Sequence, residues 1–225
     1  MKKTLHVSIV VANYNNGRYL TRFINSIEES SVIPHELIIV DDGSKDNSLE
    51  ILENFKELAY LKVLKFKKNR GFTTALNKGI VTASGKYVMR ADPDDIFLPE
   101  RIEKQYDFLE KHKEVDIVGC NVIYFNSQTN KDVNKSNFPL THEEIEKTYI
   151  HGEHGVQHPT VCGKTSIYQQ YKYGSIFPAE DYEIFARMIK DGNKFANISE
   201  ALYRMRVHSK SSTGNIVLCL FYLVR

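Results

Sequence analysis

Tryptophan is absent from the 225-residue chain, and cysteine and proline are scarce, at three and six residues. Cys120, Cys162 and Cys219 lie far apart with no Cys-x-x-Cys pair. That excludes a disulfide framework and a thiolate metal centre, and it points to a reducing, cytosolic compartment. An excess of charge is missing too. Thirty Lys and Arg against 28 Asp and Glu leave a formal net charge of +2, which argues against nucleic acid as the main partner. No run approaches the roughly 20 apolar residues of a membrane span. The start, "MKKTLHVSIVVANYNNG", has a basic beginning but too short an apolar run for a secretory signal. The nearest approach to a membrane segment is "NIVLCLFYLVR" at the C-terminus, with nine mostly apolar residues from Ile216 to Val224. It reads first as a last core element and second as a foot for peripheral membrane contact.

What is present alternates between two periodicities. Residues 5–12, 36–40, 61–66 and 86–91 are short runs rich in Val, Ile and Leu, as buried strands are. Between them, 17–30 and 46–58 carry apolar residues at spacings of three and four, with Asp46 or Ser48 placed to cap the second. A weaker helix over 73–85 ends at Gly85. Strand, helix, strand, repeated, predicts right-handed crossovers and a mostly parallel, Rossmann-like α/β sheet with helices on both faces. Further on, 99–113 opens with Pro and predicts a helix, 115–125 a strand, and 126–140 a polar loop or hairpin. Thr141 and Glu144 have capping-box spacing, and 178–192 reads as the last helix. No linker divides the chain, so one domain over 1–225 is expected.

In such a sheet ligands bind beyond the carboxyl ends of the strands. The tips are "NYNNG", "DDGSKDN", "KKNRG" and "DPDD". Parallel strands bring Asp41, Asp42, Asp92, Asp94 and Asp95 to one edge, where they repel unless a cation compensates them. Oxygen ligands favour Mg²⁺ or Mn²⁺, which bind one or two carboxylates and leave positions for substrate phosphates. Lys68, Arg70 and Arg90 are placed to share that load. Taken singly, each acidic tip is as well explained as a solvated turn. Their recurrence at successive strand ends favours a site.

The ordered pieces "VSIVVANYNNGRYL", "ELIIVDDGSKDNSLEIL", "NRGFTTALNKGIVTASGKYVMRADPDD", "QHPTV", "FPAEDYEIFARM" and "YRMRVHSKS" resemble the family 2 inverting nucleotide-sugar glycosyltransferases of GT-A fold, over residues 5 to about 212. The resemblance implies a nucleotide-binding half to about residue 98 and an acceptor-side half beyond it. Asp41 would bind the nucleotide base, usually uracil, with Asp42 close by, Arg70 in the same nucleotide set, and the backbone of Ala12 and Asn13 packed on the base. Asp92 would sit near ribose and sugar. Asp94 would ligate Mn²⁺ or Mg²⁺ on the diphosphate, with His208 approaching from the C-terminal segment. Asp181 would be the catalytic base. Pro93, between the two acids of the DxD, stands where small residues are also common. The implied partners are a nucleotide-sugar donor, usually a UDP-sugar, and a glycan or lipid-linked glycan acceptor. The implied setting is bacterial surface-polysaccharide synthesis in the cytoplasm, at the inner face of the membrane.

Other motifs fare worse. "CGKTS" ends like a phosphate loop, but His158 stands where that loop needs Gly. His151, His154 and His158 have zinc-like spacing, yet in a Gly-rich stretch rather than on a helix. "HPT" at 158–160 fits instead the resembled family's strand toward the acceptor. No GxGxxG follows the first strand, which disfavours a dinucleotide oxidoreductase. A nucleotidyltransferase would want a Gly-rich basic loop there, and "NYNNGRYL" has one Gly and one Arg. A non-catalytic binding module would have no need to keep both Asp94 and Asp181.

Overall fold

The computed structural model describes residues 2–174 and 179–207. Four strands open the fold: β1 (Thr4–Asn13), β2 (Ile33–Asp41), β3 (Leu61–Lys65) and β4 (Tyr87–Arg90). Between them run α1 (Gly17–Glu28), α2 (Ser48–Glu53) and α3 (Phe72–Thr82). Then come β5 (Ile96–Phe97), α4 (Arg101–Lys111), β6 (Ile117–Asn126), β7 (Asp132–Lys135) and α5 (His142–Ile150). The chain continues through β8 (Cys162–Lys164), α6 (Thr165–Gln170), α7 (Glu180–Lys190) and β9 (Phe195–Val207). All nine strands join one sheet in the order β3-β2-β1-β4-β8-β6-β9-β5, with β7 paired to β6. β1 to β4 are mutually parallel, and β8 runs antiparallel to both β4 and β6.

Alternation in the strands explains the layers. In β1, Val7, Ile9 and Val11 face one core with α1 (Leu20, Phe23, Ile24, Ile27) and α4 (Ile102, Leu109). Val10 and Ala12 face the other core, with α3 (Ala75, Leu76, Ile80) and α7 (Ile184, Phe185, Met188). Both sheet faces are thus buried, which is why these strands read as continuous apolar runs rather than as an alternating pattern.

Several expectations are refined. The helix expected over 46–58 is α-helical only to Glu53. Beyond it Phe55, Lys56 and Leu58 make tighter i→i+3 bonds. Asp46 does receive the Ser48 amide at its start, at 3.0 Å. The Thr141–Glu144 capping box is formed. Gly85 is not the stop of α3, which ends at Thr82. Any Cβ at Gly85 would lie 2.6 Å from the Ser8 nitrogen, so the residue serves a close approach to β1. "HPT" is a 3₁₀ turn leading into β8, not a strand. β5, β8 and α6 had no legible signal because they are two, three and six residues long. β9 was hidden by its polar interior, where the pairing with β6 slips around Asn121.

Candidate active site

The tips of β1 and β2 are level, Asn13 opposite Asp41, and Arg90 of β4 pairs with Val10 three residues back along β1. Strands lie about 4.8 Å apart and rise about 3.3 Å per residue, so the β2 and β4 tips, two strands apart and offset by three residues, stand roughly 14 Å from each other across β1. Asn13 and Asp41 are fully buried, and Ala12 nearly so. Asn13 Nδ2 donates to Asp41 Oδ2 at 2.8 Å, and the Ser44 amide donates to Oδ1 at 2.9 Å. The fixed carboxylate lines a cavity of about 520 Å³ with Tyr14, Ser44, Phe66 and Lys68. That volume lies within the range of small-molecule sites. Gly43, at φ +72°, closes the turn beneath. A Cβ there would meet the Lys68 backbone at 2.6 Å, so only glycine lets the two loops touch.

Asp42 has a different part. Its Oδ1 accepts the Arg70 amide at 2.6 Å and its Oδ2 the Gly71 amide at 2.9 Å. Its influence on a ligand therefore runs through the loop it holds. Arg70 is exposed there, its guanidinium 4.9 Å from the Phe66 ring centre.

After β4 the chain brings Asp92, Asp94 and Asp95 together, with one oxygen of each lying within 4.8 Å of the others. Asp92 Oδ2 lies 2.6 Å from Arg90 Nη1, and the Asp92 amide donates to the Tyr203 hydroxyl at 3.1 Å. From β9, the Arg206 amide donates to Asp95 Oδ1 and Arg206 Nε donates to the Asp94 carbonyl, both at 2.7 Å. Asp95 is 3% exposed, and its Oδ2 has no hydrogen-bond partner among the described residues. Burial, then Asp94 and Asp92, push its carboxyl well above the usual range. A hard divalent cation fits these residues: the donors are all oxygen, one buried oxygen is unsatisfied, and the mutual repulsion is of the kind a cation relieves. His208 and the apolar C-terminal run lie outside the described residues.

Asp181 sits in the first turn of α7, its side chain 22% exposed. Oδ1 accepts the Tyr182 amide at 2.8 Å, and Oδ2 lies 3.9 Å from His154 Nδ1. Burial pushes the Tyr173 hydroxyl up; Arg90 opposes this, and Asp181, Glu180 and Asp92 add to it. His158 Nε2 lies 2.8 Å from that hydroxyl, and burial, then Arg90 and His154, pushes the imidazole well below its usual range. With His151 turned back on Lys147 O, the three histidines form no metal-holding group among the described residues.

Beneath the rim lies a residue that sequence reasoning did not single out. Arg101 is fully buried, and its Nη2 donates to Arg90 O at 2.8 Å and to Pro159 O at 2.9 Å. The guanidinium carbon lies 4.2 Å from the Phe97 ring centre and 4.4 Å from that of Tyr203. Arg101 thus ties the tip of β4, the turn before β8, and the tyrosine that holds Asp92. Glu180 and Arg206 were missed as well. Only Glu180 had a signal, its adjacency to Asp181.

A mostly parallel α/β sheet with buried acids beyond its strand ends has its candidate site where open α/β folds bind their ligands. Residues 8–177 match the family model described as Glycosyl transferase family 2, and the chain belongs to that family. Its fold is of the GT-A type. The matched span ends four residues before Asp181. The chain is 28% identical to the amylovoran biosynthesis glycosyltransferase AmsE of Erwinia amylovora, over 90% of this chain and 76% of that protein. It superposes on S. aureus TarS 1–349 in complex with UDP-GlcNAc with a TM-score of 0.76 and 22% identity, over 96% of this chain. The mannosyltransferase PcManGT of Pyrobaculum calidifontis, in complex with GDP-Man and Mn²⁺, gives 0.72 at 15% identity, over 95% of this chain. The chain spans 61% of each of those two structures, and at these identities the likeness carries the fold alone.

Proposed function

We propose that the protein is a metal-dependent inverting glycosyltransferase that moves a sugar from a UDP-sugar to a hydroxyl of a glycan or lipid-linked glycan. The observation that carries this reading is the group of Asp92, Asp94 and Asp95 beyond β4, one oxygen of each within 4.8 Å of the others and Asp95 Oδ2 buried without a hydrogen-bond partner among the described residues. An inverting transfer is one displacement at the anomeric carbon. It needs a cationic electrophile at the departing diphosphate and a base on the opposite face. The tip of β4 offers the first and the head of α7 the second.

In this reading the cavity beside Tyr14 takes the nucleoside. Asp41 accepts from the base, Ala12 and Asn13 pack their backbone against it, and Asp42 and Arg70 shape and charge the loop toward the diphosphate. Asp94, with Asp92 and Asp95 beside it and His208 from the C-terminal segment, would hold Mn²⁺ or Mg²⁺. The bound ion supplies Lewis-acid neutralisation of the leaving group. Asp181 takes the proton of the acceptor hydroxyl as that oxygen bonds to the anomeric carbon. The bond from that carbon to the diphosphate oxygen breaks, and its electron pair leaves with the nucleotide. The name of the relative AmsE supports a role in polysaccharide assembly, and TarS and PcManGT support a nucleotide-sugar donor and a divalent ion. No helix among the described residues is long and apolar enough to cross a membrane. We place the enzyme in the cytoplasm, with peripheral contact at the membrane through its C-terminal run.

The test is titration of the purified protein with UDP and UDP-sugars in the presence of Mn²⁺, followed by an assay of donor hydrolysis or transfer. Saturable, metal-dependent binding with turnover is expected. Absence of any UDP binding with metal present overturns the donor assignment.

A further inference from the structure

Among the described residues, glycine aside, only Asn15 at φ +56° and Asn130 at φ +54° have a left-handed backbone. Asn130 lies in the hairpin connection between β6 and β7, where such a conformation is common. Asn15 lies in the loop that joins β1 to α1, and no hairpin accounts for it. Side chains disfavour this region, and asparagine tolerates it better than most. A residue stays there when its surroundings hold it, and such positions cluster at functional sites.

What holds Asn15 is the neighbouring loop. Its amide donates to Ser44 Oγ at 3.0 Å, and its Oδ1 accepts the Lys45 amide at 2.8 Å. Ser44 Oγ also accepts from Asn13 Nδ2 at 3.3 Å, and the Gly17 amide donates to Asp46 Oδ2 at 2.9 Å. These bonds lace the loop after β1 to the loop after β2. The two loops also touch, since any Cβ at Gly17 would lie 2.2 Å from Asn47 Oδ1. The lacing runs along the cavity that Asp41 lines. Tyr14, one residue before Asn15, lines it from the first loop, and Ser44 and Lys45 line it from the second. Tyr14 is 41% exposed, so little packing fixes its ring, and the backbone turn at Asn15 sets where it leaves the chain.

We infer that Asn15 is a positioning residue for the nucleotide, its side chain clasping Lys45 so that the cavity walls on the two loops keep a fixed separation. The inference rests on the reading under Proposed function that this cavity takes the nucleoside. A site ordered in advance binds more tightly than one that orders around its ligand, so the clasp contributes affinity without touching the nucleotide. Its contribution to stability is small. Asn15 and Lys45 are exposed, and water replaces a bond lost there.

Calorimetric titration with UDP and Mn²⁺, beside thermal unfolding of the same samples without ligand, tests this on the wild type, Asn15→Gly and Asn15→Asp. Glycine keeps the left-handed backbone freely and loses only the Oδ1 bond, whereas aspartate retains an acceptor in its place. Asn15→Gly should weaken UDP about fivefold, about 1 kcal/mol, with the Tm of the free protein within about 2 °C of wild type. Asn15→Asp should bring the UDP Kd back to within about twofold of wild type. An unchanged UDP Kd in Asn15→Gly overturns the inference and leaves the donor reading standing. So does a weakening that comes with a Tm drop of several degrees, which marks the bond as structural, or one that aspartate fails to restore. A wild type that binds no UDP with metal present overturns both.

Discussion

The backbone amide of Arg206 donates to Oδ1 of Asp95 at 2.7 Å, and this contact helps fasten β9 to the loop after β4 across 111 residues of sequence. The Arg206 side chain adds a bond to the Asp94 carbonyl, and its guanidinium carbon lies 4.6 Å from the ring centres of both Tyr19 and Phe125. A hydrogen bond from a charged group contributes about 1.5–3 kcal/mol and each cation–π contact about 0.5–1 kcal/mol. Arg206→Ala should therefore lower stability by about 2 kcal/mol, read as a Tm shift of roughly 4–8 °C by calorimetry. Arg206→Lys should recover little, because an ammonium lacks the planar donor that fits Asp94. An unchanged Tm in the alanine variant would falsify the side chain's share of the fastening, since alanine keeps the amide bond to Asp95.

Asp181→Asn should reduce turnover by about 10²–10⁴-fold while the nucleotide Kd stays within about twofold, since the amide keeps the shape but takes no proton. Single-turnover assays beside titration separate the two quantities. Loss of nucleotide binding in this variant removes Asp181 from the role of base.

Removal of Asp94 should be felt only through metal. A ligand at a hundred times its Kd stabilises the folded state by about 2.7 kcal/mol. Wild-type protein with Mn²⁺ and UDP should show a thermal shift of that size, and Asp94→Ala should show little. A variant that keeps the full metal-dependent shift does not have Asp94 in the metal shell.

Far from the rim, Glu36 offers a prediction about pH. It is 1% exposed, and burial alone would raise its pKa; instead Lys62, Ser8 and Ser84 lower it from 4.5 to about 2. The donors are Lys62 Nζ and Ser8 Oγ at 2.5 Å, the Ser84 amide at 2.7 Å and Ser84 Oγ at 2.9 Å. A carboxyl with a depressed folded-state pKa stabilises fully above its unfolded value and loses that contribution as pH falls from about 4.5 toward 2. Because Lys62 is half exposed, its share is screened. The whole contribution is on the order of 2 kcal/mol. Glu36→Gln should lower the urea midpoint at pH 7 and lose most of that deficit by pH 3. A deficit that does not shrink with acid locates the effect in packing instead.

Arg101 carries the last prediction. Arg101→Met keeps length and apolar contact with Phe97 and Tyr203 but removes the bonds to Arg90 O and Pro159 O. Leaving those carbonyls buried without a donor should cost about 2–4 kcal/mol in denaturant unfolding. A cost near zero means that the relaxed backbone finds other donors.

What could be read from sequence divides along a physical line. β1, β2 and β4 were legible because burial on both faces demands unbroken Val and Ile, and Asp41 and the Asp92–Asp95 loop were legible because polar turns follow those runs directly. Arg101 looked like an ordinary first-turn helix residue, and only the distant Pro159 and Tyr203 make it a hub. Arg206 lay in a strand whose apolar alternation is interrupted, so neither the strand nor its grip on Asp94 showed in the pattern. Asp42 entered the nucleotide set through the resemblance, close by Asp41, and what its own carboxylate grips was not legible from its place just past β2. The structure turns its carboxylate onto the Arg70 and Gly71 amides. Local pattern reports which residues gather at an edge, but not what each one grips.

The antiparallel β8, hydrogen-bonded to β4 on one side and β6 on the other, stitches the halves before and after residue 98 into a continuous surface. A clamshell movement of one half against the other would tear that seam open. On the proposed function, adjustment to a substrate would fall to the connecting segments that crown the sheet rather than to the sheet beneath them.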